Sequence, residues 1–189
     1  DPKQSGAAGA FGDIGTHAAN LVEYITGKRI VEICAELTAL PNRSIDDDGA
    51  ALFRLAGGGK GTLTASQVCV GDANDLAISV YCDEAGLHWR QEEPNMLRVG
   101  RRDKPTEIWG AGANRAYLSP AVLGIQRTPG GHPEGYLEAF ANIYRAFGES
   151  IRGVQAALGW ATMEDTLAGM KFINACIESS AKGAIWVKI

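Results

Sequence analysis

Apolar and polar positions along this chain change period several times, and each change marks an element. Leu21, Val22 and Ile25 recur at helical spacing, and Gly27 supplies a C-terminal stop, so a first helix is expected over residues 13–26. Across residues 29–40 the period drops to two. Val31, Ile33, Ala35, Leu37 and Ala39 then share one face of a strand. Residues 49–56 and 61–70 read as two further strands joined by Gly57-Gly58-Gly59-Lys60, a hairpin signal with Lys60 in the turn. Short strands follow at 76–82, 86–91, 96–101 and 105–109. Turns at Asp83-Glu84-Ala85-Gly86 and Glu93-Pro94-Asn95 help to separate them, and this spacing predicts an antiparallel meander.

Residues 110–131 show no period and contain Ser119-Pro120 and Pro129-Gly130-Gly131, which predicts a long loop. Pro133 suits the first position of a helix, with His132 just before it. That helix carries Leu137, Phe140, Ala141, Tyr144, Phe147 and Ile151 as an apolar stripe expected in the core. A second long helix opens at Thr162, with Asp165 completing a capping box. Leu167, Met170, Ile173 and Ile177 are its expected buried face, Gly183 its end, and residues 184–189 a last strand. Strands segregated from helices predict an α+β fold, an open, mainly antiparallel sheet with helices packed on one face. Ala50-Ala51-Leu52-Phe53 and Leu76-Ala77-Ile78 are apolar at both parities, so the second face is expected to meet another subunit or domain.

Composition narrows the class. The chain has 189 residues, 46% of them apolar, enough for one sizeable core. Its formal net charge is -4 with no basic block, which makes nucleic acid and anionic membranes poor partners. There is no apolar run of membrane-spanning length and no signal-peptide pattern at the start. Cys34, Cys69, Cys82 and Cys176 form no CxxC pair and sit among apolar neighbours, so they read as reduced core thiols of a cytoplasmic protein. A chain that opens with Asp1-Pro2 is expected to be processed or part of a longer protein, and a fragment is the preferred reading.

The candidate chemistry centres on Gly9-Ala10-Phe11-Gly12-Asp13-Ile14-Gly15-Thr16-His17. Asp13 and His17 are four apart and share a helix face, and a carboxylate beside an imidazole suits a proton-transferring histidine. The alternative is that Asp13 only caps the helix and His17 is a polar residue of its first turn. Three glycines in the run allow close backbone approach. Asp46, Asp47 and Asp48 lack a calcium-loop spacing and read as a solvated loop. Gly57 to Lys60 fails the phosphate-loop pattern, and Gly6, Gly9 and Gly12 lack the strand and spacing of a dinucleotide fingerprint. His132 and Glu134 follow the long loop and are candidates either for binding substrate hydroxyls or for capping their helix. His88, beside Trp89 in an expected strand, reads as structural. A zinc site from Asp13, His17, His132 and Glu134 is chemically allowed, but nothing in the spacing demands it.

The chain resembles the C-terminal domain of the glucose–fructose oxidoreductase and inositol dehydrogenase (Gfo/Idh/MocA) family along essentially its whole length. The resemblance is carried by Gly12-Asp13-Ile14-Gly15-Thr16-His17, Val31-Glu32-Ile33-Cys34-Ala35-Glu36-Leu37 and Asp46-Asp47-Asp48-Gly49-Ala50. Gly61-Thr62-Leu63-Thr64-Ala65-Ser66-Gln67, His132-Pro133-Glu134-Gly135-Tyr136 and Trp186-Val187 add to it. It implies that residues 1–189 are one substrate-binding and oligomerisation domain, like the C-terminal domain of glyceraldehyde-3-phosphate dehydrogenase. It implies a preceding Rossmann domain, absent here, that binds NAD or NADP and carries a lysine in a Glu-Lys-Pro motif. It further implies that Asp13 and His17 are the catalytic partners of that lysine, that a sugar or cyclitol is the substrate, and that the sheet face makes a homodimer or homotetramer. The isolated chain is then expected to be inactive and to bind no cofactor itself. A non-catalytic oligomerisation or sugar-sensing module is the competing reading.

Overall fold

In the computed structural model, which describes residues 6–156 and 159–189, the alternation after Arg29 becomes strand β1 (Ile30–Thr38). It is followed by β2 (Asp48–Leu55) and β3 (Lys60–Ser66), then by β4 (Ala77–Tyr81), β5 (Ala85–Arg90), β6 (Met96–Arg101) and β7 (Lys104–Gly110). A π-helical turn (Phe11–Gly15) and α1 (Thr16–Thr26) precede β1, and α2 (Pro120–Leu123), α3 (Tyr136–Ile151), α4 (Met163–Ala181) and β8 (Val187–Lys188) complete the chain. The architecture is α+β with antiparallel strands. Among the described residues no helix is long and apolar enough to cross a membrane.

The chain divides into two compact units, Asp1–Ala73 with Thr162–Ile189, and Asn74–Ala161. In the first, the strands pair antiparallel in the order β3-β2-β1-β8. Ile33 and Ala35 of β1, Ala51 and Phe53 of β2, and Leu63 and Ala65 of β3 are buried together with Ala19 of α1 and Phe172, Ala175 and Cys176 of α4. A register shift between Ile30 and Glu32 buries Ile30 and leaves the expected Val31 at the surface. Gly27 ends α1 with φ 65°, a left-handed conformation that glycine takes without penalty. The uncovered sheet face carries exposed Leu52, a Glu32–Arg54 ion pair at 2.6 Å, and the Arg54 guanidinium 4.0 Å from the Trp186 ring centre.

The second unit is the expected meander, β4-β5-β6-β7. Ile78, Trp89, Leu97 and Trp109 are cross-strand partners in succession, forming one apolar row. On the other parity Ser79 pairs with His88, whose Nδ1 lies 2.9 Å from the Ser79 hydroxyl, so His88 is held within the sheet.

Several local expectations are corrected. Lys60 is the first residue of β3, opposite Arg54, rather than a turn residue. The second of the two hairpin strands stops at Ser66, where pairing with Asp48 ends, which leaves Val68, Cys69 and Val70 exposed. Cys82 is also exposed, so of the four thiols only Cys176 is a fully buried core residue. Helix α3 starts at Tyr136, not at Pro133, because Glu134 is drawn into the preceding loop and the Gly135 N–H donates to the Glu138 carboxylate at 2.8 Å. Its stripe is not buried: Leu137 is 76% and Tyr144 71% exposed. Thr162 and Asp165 do cap α4. Its buried stripe is Phe172, Ala175, Cys176 and Ser179, and Leu167 and Met170 are exposed.

Candidate active site

The entry to α1 is held from outside its own segment. The Gly9 N–H donates to Asp46 Oδ1 at 2.7 Å, the Phe11 N–H to Asp46 Oδ2 at 2.8 Å, and the Ala10 N–H to the Asp46 carbonyl at 2.9 Å. Backbone N–H groups at a helix start lack intrahelical acceptors, and Asp46 supplies them. A Cβ on Gly9 would stand 1.9 Å from the Asp46 carbonyl oxygen, so this approach requires glycine. Asp46 and Asp47 are therefore not the solvated loop their spacing predicts, since both are buried. The Asp47 carboxylate accepts the Leu40 N–H at 3.0 Å and pairs with Arg43 at 2.8 Å.

Phe11 anchors the turn. It is fully buried and stacks on Phe172, with ring centroids 6.2 Å apart and planes 8° from parallel. Between this anchor and α1 the backbone widens into the π-helical turn that carries Asp13. Such turns recur at functional sites. Asp13 is exposed, and its Oδ2 accepts from Gln67 Nε2 at 3.1 Å. It caps no helix, and among the described residues its side-chain partner is Gln67 rather than His17. His17 stands exposed in the first turn of α1. A cleft of about 590 Å³ opens beside Asp13, lined among others by Gly9, Gly12, Asp13, Asn42, Arg43 and Gln67, while His17 is not one of its lining residues. That volume suits a small-molecule ligand.

His132 and Glu134 belong to the other unit. Glu134 is buried, and its Oε1 accepts the Arg127 and Thr128 N–H groups, both at 2.5 Å, and the Thr128 hydroxyl at 2.9 Å. Burial alone would raise its carboxyl. The Thr128 and Arg127 donors outweigh burial and hold it below the usual carboxylate range. Asn95 adds to the grip, its Nδ2 donating to the Glu134 carbonyl at 2.7 Å. Glu134 thus ties down its loop from within, whereas His132 is exposed. Among the described residues no group of three or more His, Cys, Asp or Glu side chains is placed to hold a metal ion.

The chain is similar to known proteins along its length. The model of the GFO/IDH/MocA C-terminal domain matches residues 1–88, the stretch that holds Asp13, His17, Asp46 and Gln67. Over those residues the chain is similar to the GFO/IDH/MocA C-terminal domain. An uncharacterized oxidoreductase of Bacillus subtilis, YfiI, is 24% identical across all of this chain and 50% of its own length. The structure of an oxidoreductase from Sinorhizobium meliloti superposes with a TM-score of 0.91 at 36% identity, over 95% of this chain and 52% of that one. An inositol dehydrogenase homolog from Azotobacter vinelandii, complexed with NAD+, gives 0.90 at 27% identity over 100% and 51%. The same homolog complexed with NADH and myo-inositol gives 0.87 at 27% identity over 98% and 51%. The chain therefore spans about half the length of these relatives.

Proposed function

We propose that this chain is a GFO/IDH/MocA C-terminal domain, the substrate-binding and oligomerisation half of an NAD(P)-dependent oxidoreductase acting on a secondary alcohol of a sugar or cyclitol. The observation that carries the reading is the likeness, across nearly the whole chain, to the homolog complexed with NADH and myo-inositol. Asp13 lines the cleft and His17 is exposed in the first turn of α1, and these two are the proposed catalytic pair.

Both sheets are antiparallel throughout, and Gly6, Gly9 and Gly12 follow no strand. The described residues thus form no dinucleotide-binding turn. What they offer is proton handling. A neutral imidazole nitrogen accepts a proton, so the His17 ring takes the proton leaving the reacting hydroxyl oxygen and returns it in the reverse direction. The Asp13 carboxylate, four residues away, stabilises the imidazolium that forms. In the other unit, His132 and Glu134 are the proposed substrate-binding residues, with Glu134 holding the loop that carries His132.

The uncovered face with Leu52 and Trp186 is the proposed homodimer or homotetramer contact. The test is a screen for NAD+ or NADP+ reduction with sugars and cyclitols, using the protein with its cofactor-binding half present. Reduction with a polyol of this class supports the reading. No reduction with any of them, by protein that binds the cofactor, contradicts it.

A further inference from the structure

We propose that Gln67 is a positioning residue for the Asp13 carboxylate, an inference that rests on the catalytic assignment of Asp13. The two residues are 54 apart in sequence, and Gln67 Nε2 donates to Asp13 Oδ2 at 3.1 Å. A bond between two exposed side chains is ordinarily loose, because ordering both costs rotamer freedom. Here the backbones at both ends are fixed by one dipeptide. Asp46 binds the Gly9 and Phe11 N–H groups and so holds the turn that carries Asp13. The Asp47 carbonyl accepts the Gln67 N–H at 2.8 Å, and the Asp47 N–H donates to the Thr38 carbonyl at 2.9 Å. Residues 46 and 47 thereby clamp the end of β3 to the π-helical turn, and only the side-chain torsions of Gln67 and Asp13 are left to order.

The chemistry of the pair fits a positioning role. A carboxamide donates to a carboxylate without neutralising its charge and without competing for the proton that His17 handles. A glutamate in place of Gln67 would offer no donor and would repel Asp13. A lysine would cancel the negative charge that stabilises the imidazolium. The bond occupies Oδ2 and sets the rotamer of Asp13 beside the cleft that Gln67 also lines.

The test uses Gln67→Leu, Gln67→Glu, Asp13→Asn and the Gln67→Leu/Asp13→Asn double variant in the protein with its cofactor-binding half. Turnover of myo-inositol with NAD+ is measured alongside thermal midpoints, and the side-chain amide of Gln67 is followed by 15N NMR. Gln67→Leu is expected to lower kcat roughly tenfold at an unchanged thermal midpoint. Gln67→Glu is expected to lower it at least as far, because shape is kept and the donor is lost. In the Asp13→Asn background the Gln67→Leu change is expected to have no further effect, the signature of a residue that acts through Asp13. Asp13→Asn is also expected to move the Gln67 side-chain amide resonances. Full turnover in Gln67→Glu, equal losses in both backgrounds, or amide resonances that Asp13→Asn leaves in place would each overturn the proposal. Wild-type turnover in Asp13→Asn would instead refute the catalytic assignment, and the amide resonances alone then decide whether Gln67 holds Asp13.

Discussion

A buried aspartate that caps a helix start 35 residues earlier is the residue on which the site geometry depends most. Replacing Asp46 with alanine strands the buried Phe11 N–H and the part-buried Gly9 N–H, which costs about 2–3 kcal/mol, and it frees the turn that carries Asp13. Urea unfolding should show this loss, and a change below about 0.5 kcal/mol would mean that the cap is dispensable. Asp13 and His17 are candidates that local spacing offers, though the side-chain partner of Asp13 is Gln67. Asp46 and Gln67 were not legible in the sequence, since no periodicity links position 46 to position 9 or position 67 to position 13. The cysteines teach the same lesson. Val68 and Val70 make Cys69 look like a core residue, but the strand ends before them. Burial, and the Asp46 charge after it, push the Cys176 thiol up to about 12. A thiol reagent applied to the folded protein is therefore expected to label Cys69 and Cys82 quickly, and Cys176 only after unfolding. Rapid labelling of Cys176 would show that the core opens far more readily than its packing implies.

At the scale of elements, α4 shows why helix position was legible and helix phase was not. Thr162 and Asp165 mark its start by a local rule, and the cap forms as expected. The face that packs is chosen by proximity to β1, which favours small side chains. Ser179 Oγ accepts the Ala35 N–H at 2.8 Å and Ser180 Oγ the Leu37 N–H at 3.0 Å. They complete the edge of β1 beyond its short pairing with β8 at Glu32 and Ile33. Weighting large apolar residues selects Leu167 and Met170 instead, and these are exposed. The start of α4 also carries a pH signature. The Thr162 N–H, then the Thr162 hydroxyl and the Arg29 guanidinium, hold the Asp165 carboxyl below its ordinary 3.8. A depressed carboxyl stabilises the fold above its unfolded value, and that contribution disappears as pH falls through its folded value. The stability gap between wild type and Asp165→Asn, measured by denaturant unfolding, is accordingly expected to be full near neutral pH and to close below about pH 3.8. A gap that persists undiminished at lower pH would assign the effect of the substitution to packing rather than charge.

For the whole molecule, strand number and antiparallel sense were legible from alternation and turn residues. The division into two four-stranded sheets was not, because it depends on where inter-strand pairing stops between Ser66 and Ala77. The surface is also telling. In the first unit Leu167 and Met170 of α4 and Leu52 of β2 are exposed, and in the second, taken by itself, the aromatic stripe of α3 is exposed. Apolar faces of this kind mark interaction sites. Sedimentation of the protein at micromolar concentration is expected to give a dimer or tetramer, and a monomer would leave the Leu52 face without its proposed partner.

The most direct test of proton transfer at this site is the turnover of His17→Ala in the protein with its cofactor-binding half, measured as NAD+ or NADP+ reduction. Loss of the base is expected to lower kcat by about 10²–10⁴-fold while the unfolding midpoint stays at the wild-type value, because His17 is exposed and packs against little. Turnover within about twofold of wild type would contradict the assignment of His17 as the group that moves the proton.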